Sequence, residues 1–330
     1  MGAFISRIFL IRKGEFMSVT YQFFIFQSVI IGPFLIGMFT KKYISSPDQL
    51  ARRIVLVNLC MFDPIIILWT VWGLRISKEL IYLPLSGLCI VILGFVAGHL
   101  FALPLNLPHK SHGTFVITAS LSNHGFTLGG YICYLLLGEQ GLALSYIFLL
   151  YFVFYLFLFI FPYARWIQAT QEEISTKQLV MSTLINVRNI PLYTTLFALL
   201  LKKSHILRPA IDMPVESFLL ISISIYYFSL GLTYSISRQI SYKKHHFLLI
   251  IIKFLISPLV ALLLTWILPL DSSMQYVVII ESFMPVAILS VVVAIIFELD
   301  TRMASSLFVW NTILFLFFVF PLMYFCLGKL

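Results

Sequence analysis

Apolar residues in this chain fall into long runs of about twenty, cut by short polar stretches. Twenty is roughly what an α-helix needs to cross a hydrocarbon layer. Ten such runs are read, at 19–39, 51–72, 80–103, 113–136, 141–163, 187–201, 214–236, 247–268, 274–297 and 303–327. The pattern predicts an all-α polytopic membrane protein with ten transmembrane helices. Between the fifth and sixth runs lies the most polar part of the chain, 165–183, which holds Gln168, Gln171, Glu172, Glu173 and Lys177. It is too short to be a domain and reads as a linker. The predicted organisation is an N-terminal extension at 1–16, a first five-helix repeat at 17–164, the linker, and a second five-helix repeat at 184–330.

Two runs are broken by residues that do not belong in a continuous membrane helix. The fourth contains Ser122-Asn123-His124-Gly125-Phe126-Thr127-Leu128-Gly129-Gly130, and the ninth contains Glu281-Ser282-Phe283-Met284-Pro285. Lipid cannot hydrogen-bond a broken backbone, so irregular chain at membrane depth must be buried in protein or line a watery cavity. Transporters use such breaks to build substrate sites. Short acidic turns follow both interrupted runs, with Glu139 after the fourth and Glu298 and Asp300 after the ninth. Runs one and six each contain a proline, Pro33 and Pro191, and each closes on a lysine pair, Lys41-Lys42 and Lys202-Lys203. Five helices per half would make the halves antiparallel, which is the inverted-repeat plan. Short matches of this kind also arise by chance.

Composition narrows the class. The chain has 330 residues, 61% hydrophobic and 11% charged, with mean hydropathy +1.01. A soluble domain carries about 25% charged residues, so an ordinary soluble fold is excluded. The net charge of +9 lies mostly in short loops, where it orients helices and meets anionic lipid rather than nucleic acid. Basic residues are more numerous in the loops after runs one, three, five, seven and nine. That side is assigned to the cytoplasm with the linker, and both termini to the outside of the cell membrane, a bacterial inner membrane by this reading. No signal-peptide cleavage site stands near the start. Met17 is an alternative start to Met1. The cysteines Cys60, Cys89, Cys133 and Cys326 form no CxxC and read as buried free thiols.

Candidate chemistry is confined to a few polar residues. At the first break Gly125, Gly129 and Gly130 permit unusual backbone, Asn123 brings a donor–acceptor amide, and a freed half-helix N-terminus favours an anion such as a carboxylate. Close helix packing by small residues is the competing explanation. His124 is read as a substrate or pH-sensing group, or as a partner for broken backbone. At the second break Ser282 and Pro285 stand beside Glu281, and Asp63 lies inside the second run before Pro64. Intramembrane acids usually face a cavity or a partner, so Asp63 and Glu281 are candidates for proton or ion coupling. An interfacial position is the alternative for Glu281. Lys253 is placed close enough to the end of its run to snorkel, or to sit in a structural ion pair. No histidine group looks like a metal site, no catalytic motif is present, and no cofactor beyond H+ or Na+ as coupling ion is expected.

Several segments together resemble the auxin efflux carrier family, within the wider group of bile acid, auxin and arsenite-type transporters. Asn123-His124-Gly125-Phe126 resembles that family's Asn-Thr-Gly-Phe element, and 138–143 resembles the turn after it. Asn189-Ile190-Pro191 is similar to the Asn-Pro opening its second half, and Ser229-Leu230-Gly231-Leu232 to its seventh-helix Leu-Gly-Leu. Glu281-Ser282-Phe283-Met284-Pro285-Val286-Ala287 resembles its ninth-helix Met-Pro motif. The resemblance implies inverted five-helix repeats whose broken helices 4 and 9 cross near the midplane and bind small organic anions there. It implies Asn123 as a substrate contact, Pro285 as the ninth-helix crossing residue, and Asp63 in a protonation role. The chain departs from the pattern at His124, where the family has threonine, and at Gly129-Gly130, where it usually has proline. The expected function is a secondary active permease or efflux carrier working by alternating access. Its expected partners are the organic anion, the bilayer and, by one arrangement, a second copy in a homodimer. A sodium-coupled symporter is the close alternative, and a membrane receptor or scaffold the reading outside transport.

Overall fold

A computed structural model of the chain describes residues 13–125, 128–168, 190–233 and 243–327. Most of the expected linker and N-terminal extension, with Phe126, Thr127 and Asn189, lies outside the described residues. Among the described residues all regular structure is helical, apart from one isolated antiparallel bridge between Ser122 and Val286. The helices are α1 (Lys13–Thr40), α2 (Pro47–Cys60), α3 (Phe62–Gly73), α4 (Tyr82–Ala102), α5 (His109–Ser120), α6 (Leu128–Phe148), α7 (Phe152–Tyr155) and α8 (Phe161–Gln168). They continue as α9 (Ile190–Lys203), α10 (Val215–Thr233), α11 (Lys243–Ile251), α12 (Ser257–Ile267), α13 (Ser272–Ser282), α14 (Leu289–Ile296), α15 (Thr301–Leu314) and α16 (Phe320–Leu327).

Six stretches among the described residues are long and apolar enough to cross a membrane: Gln49–Gly73, Lys78–Leu105, Leu128–Gln168, Val215–Thr233, Lys243–Ile267 and Thr301–Leu327. The third is 41 residues long, about twice what one crossing needs. It bends at Gly138, whose φ of 66° and ψ of −157° are not helical. The second expected run is likewise interrupted, which its apolar character does not foretell. Met61 separates α2 from α3, and Pro64 has no N–H to give to Cys60, four residues earlier and the last residue of α2.

Three π-helical segments share one cause. They span Leu156–Ile160, Ile252–Ile256 and Phe315–Val319. Pro162, Pro258 and Pro321 each stand two residues beyond one of them. A proline cannot donate to the carbonyl four residues back. That carbonyl belongs to Leu158, Phe254 or Phe317, the central residue of each segment. The ladder shifts to wider bonds at the gap. Two of the three, before Pro162 and Pro321, share the same Phe-x-Phe-Pro sequence.

The surface is inverted relative to a soluble protein. Phe39, Leu100, Phe154, Leu158, Trp266, Phe318 and Leu322 are exposed, whereas Asp63, Lys253 and Glu281 are buried. Apolar side chains facing outward suit lipid. The same inversion corrects the cysteine expectation. Cys133 alone is buried, and Cys60, Cys89 and Cys326 are exposed free thiols.

Packing sorts the helices into two groups. α1, α2, α3, α9 and α10 pack on one another, and α4, α5, α6 and α8 pack with α11 to α15. α6 also touches α3 and α10. Within the first group α1 and α10 meet backbone to backbone. A Cβ on Gly37 would collide with the Phe228 carbonyl, and one on Gly231 with the Phe34 carbonyl. Small residues of this kind let membrane helices approach closely. Gly231→Val should therefore lower stability by about 1–3 kcal/mol, read as an earlier melt of the detergent-solubilised protein. Gly32→Ala on the partner helix α1, where a Cβ meets nothing within 4 Å, should melt with the wild type. Equal melting of both variants would refute the contact.

Candidate functional site

α5 stops at Ser120 because Leu121 turns to extended backbone, with φ −76° and ψ 123°. α13 stops at Ser282, and the chain stays non-helical until Leu289. These two non-helical stretches pair with each other. The Asn123 N–H donates to the Pro285 carbonyl at 2.7 Å, and the Ala287 N–H donates to the Leu121 carbonyl at 3.1 Å. The Val286 N–H donates to the Asn311 Oδ1 of α15 at 2.9 Å. Inside the first stretch the Gly129 N–H reaches the Asn123 carbonyl at 3.2 Å, and the Gly130 N–H reaches the Gly125 carbonyl. The backbone freed by one break is thus largely satisfied by the other.

Side chains complete the crossing. Glu281 is fully buried, and both carboxylate oxygens accept the Gly125 N–H, at 3.2 and 3.3 Å. Two glycines make this contact feasible. Gly125 adopts φ 69°, and a Cβ on Gly129 would overlap the Glu281 carboxylate. His124 is buried, with Nδ1 2.7 Å from the Tyr151 hydroxyl and its Nε2 without a hydrogen-bond partner. Ser120 meets the Tyr155 hydroxyl at 2.6 Å, so the chain between α6 and α8 braces the break. Ser282 turns inward and donates to its own helix at Ile279, 2.6 Å away.

Lys253 requires a correction. It neither snorkels nor sits in an ion pair. It is 1% exposed, and its Nζ donates to the Leu121 carbonyl at 3.1 Å and the Ser122 hydroxyl at 2.8 Å. The helix that carries it begins at Lys243 rather than near Phe247, which moves Lys253 inward from the end. Asn311 was also missed. It lies in an apolar run, yet its Oδ1 holds Val286 while its Nδ2 has no partner. A cavity of ≈ 380 Å³ between α11 and α15, lined among others by Lys243, His246 and Trp310, has Asn311 in its wall and so abuts the crossing.

Asp63 is part of a different cluster. It sits in the first turn of α3, a favourable end for an anion. It accepts the Ser222 hydroxyl at 2.7 Å and the Tyr226 hydroxyl, which share one face of α10. Asn58 of α2 donates to the Ser222 hydroxyl at 2.9 Å. The structure therefore gathers Asn123, His124, Gly125, Gly129, Gly130, Glu281 and Pro285 at the crossing, and holds Asp63 within the first packing group. Among the described residues no cluster of histidine, cysteine and carboxylate side chains has the makings of a metal site.

Outward-facing apolar helices that enclose a polar crossing define a multi-pass membrane protein. The family model described as "Membrane transport protein" matches residues 29–324. The chain therefore belongs to that family, the auxin efflux carrier family, which is a family of transporters. No curated protein matches the chain.

The contact between Gly129 and Glu281 yields a test. Gly129→Ala should cost about 1–3 kcal/mol by overpacking, and Glu281→Ala in the same chain should recover part of that loss. Additive losses in the double variant, measured by thermal unfolding in detergent, would show that the two residues do not share this space.

Proposed function

We propose that the protein is a secondary active transporter of small organic anions, carboxylates in the first place, which it binds where the two interruptions meet. The reading is of ten membrane helices in two inverted five-helix repeats, with α5–α6 and α13–α14 as broken helices 4 and 9. Its main support is the backbone pairing of Asn123 with Pro285 and of Leu121 with Ala287. The matched π segments before Pro162 and Pro321 support the repeat. Alternating access then consists of one packing group moving against the other. The substrate and the driving ion must bias the same two states. Import and export are alternative directions of this cycle.

The crossing already contains an anion. Glu281 holds the Gly125 N–H, the kind of donor a half-helix N-terminus offers to a bound carboxylate. A substrate carboxylate and the Glu281 carboxylate therefore compete for one donor. Protonation of Glu281 weakens its claim and admits the substrate, which makes a proton the natural coupling ion. Asp63 serves the same coupling from the other group, since its partners Ser222 and Tyr226 lie on α10, which touches α6. His124 Nε2, buried and unpartnered, is a substrate donor or acceptor, and Asn123 contributes a further contact. Sodium coupling is the second reading, favoured by the carbonyls that a broken helix presents. The protein is placed in the cell membrane with the 165–183 linker in the cytoplasm.

A thermal-shift screen of dicarboxylates, aromatic acids and amino acids, with and without Na+ and at two pH values, should find a stabilising acid. Asn123→Ala should then reduce uptake of that acid into proteoliposomes at least tenfold, and unchanged uptake and counterflow would remove the crossing as the site. Asp63→Asn should abolish uptake driven by a proton gradient while leaving counterflow of the same acid measurable. Full gradient-driven uptake in that variant would exclude Asp63 from coupling.

A further inference from the structure

Lys253 has no task in the transport reading, yet among the described residues it is the only buried lysine. Burying a charged lysine is costly unless its donors find acceptors. Its Nζ meets two oxygens, the Leu121 carbonyl and the Ser122 hydroxyl. Among the described residues no carboxylate lies within ion-pair reach of it. Glu281, in the same crossing, faces the Gly125 N–H instead. What Lys253 faces is the end of α5. The Leu121 N–H closes the last helical bond to Ile117, and the carbonyls beyond it have lost their helical donors. The C-terminal end of a helix carries partial negative charge and favours a cation. In transporters with discontinuous helices, such ends and their unwound carbonyls coordinate a monovalent cation.

The helix carrying Lys253 is shaped at this point. Lys253 lies in the π segment Ile252–Ile256, which widens the backbone where Pro258 leaves a carbonyl without its donor. A lysine also suits the position better than an arginine. Its ammonium is a compact point charge on a flexible stem, whereas a guanidinium is a planar fork matched to carboxylates.

We propose that the Lys253 ammonium is a tethered cation, occupying the place at the α5 end of the crossing that a free monovalent cation would otherwise take. The positive charge at this end is then part of the protein and does not travel with the cargo. That consequence rests on the transport reading, whereas the tethered site itself does not. The cation that moves, where one does, must act elsewhere, at Glu281 or Asp63.

The test needs no substrate, so its failure is separate from failure of the transport reading. The wild type, Lys253→Ala and Lys253→Met are purified in detergent. They are melted in choline, sodium, potassium and methylammonium chlorides at equal ionic strength. The wild type should melt at one temperature in all four salts. Both variants should melt several degrees lower in choline. Lys253→Ala, which leaves room, should regain at least half of that loss in one of the small cations. Lys253→Met fills the space without charge and should regain less. If Lys253→Met melts with the wild type in choline, charge is not required and the proposal fails. It fails equally if no small cation raises the melt of Lys253→Ala. Should the lysine variants not fold, Ser122→Ala keeps the ammonium and removes one acceptor. It should melt lower by the same amount in every salt, and a sodium-selective gain in it or in the wild type would overturn the tethered cation.

Discussion

Leu121, Ser122 and Asn123 run antiparallel to Pro285, Val286 and Ala287, joined by backbone hydrogen bonds at 2.7 and 3.1 Å. In an apolar surrounding every backbone N–H and C=O needs a partner, and an orphan costs several kcal/mol. A helix broken alone at this depth would leave such orphans. Two non-helical stretches laid side by side supply each other. The ends of α5, α6, α13 and α14 must therefore stay in register. Much of the remaining architecture brings those four ends together. α15 contributes Asn311 to the outward-facing N–H of Val286.

The dipoles at the facing ends of α5 and α6 are met by the same logic. Breaking a helix creates one negative end and one positive end in the interior. Lys253 stands at the end of α5 and Glu281 at the approach to α6, and both come from the second half of the sequence. They do not pair with each other. Held apart, Lys253 donates to the Leu121 carbonyl and Glu281 accepts from the Gly125 N–H. Glu281 is held by backbone and not by a cation.

The residues that announced the site were those that violate the apolar pattern and are also poor helix formers. Asn123, Gly125, Gly129 and Pro285 stand out for that reason, and they lie together. Lys253 violates the pattern too, but its depth was misjudged. Lys243, Lys244, His245 and His246 read as loop, whereas they form the first turn of the helix. A helix that starts four residues earlier places its lysine about 6 Å further from the helix start at about 1.5 Å per residue. Ser222, Tyr226 and Asn311 were passed over because each is a single polar residue in a long apolar run. Hydropathy averages over a window and cannot tell a polar side chain that faces lipid from one that faces a partner. The break at Met61 was hidden similarly, since Pro64 is a helix breaker only through the missing bond to Cys60. The exposed cysteines follow from a habit carried over from soluble proteins, where apolar means inside.

The two interruptions use opposite chemistry, and the geometry explains why. Pro285 can lack an N–H without loss, because the crossing uses its carbonyl, which accepts from Asn123. The first interruption has no such freedom. The N–H groups of Gly129 and Gly130 both donate, to the carbonyls of Asn123 and Gly125, and a proline at either place would delete a bond that closes the turn into α6. Any side chain at Gly129 would also occupy the space of the Glu281 carboxylate. A proline at Gly129 is therefore incompatible with Glu281 in its present position. The glycine pair and the buried acid belong to one arrangement. A carrier that kept proline here would need another way to meet the Gly125 N–H, and a bound anion is the simplest group able to do so.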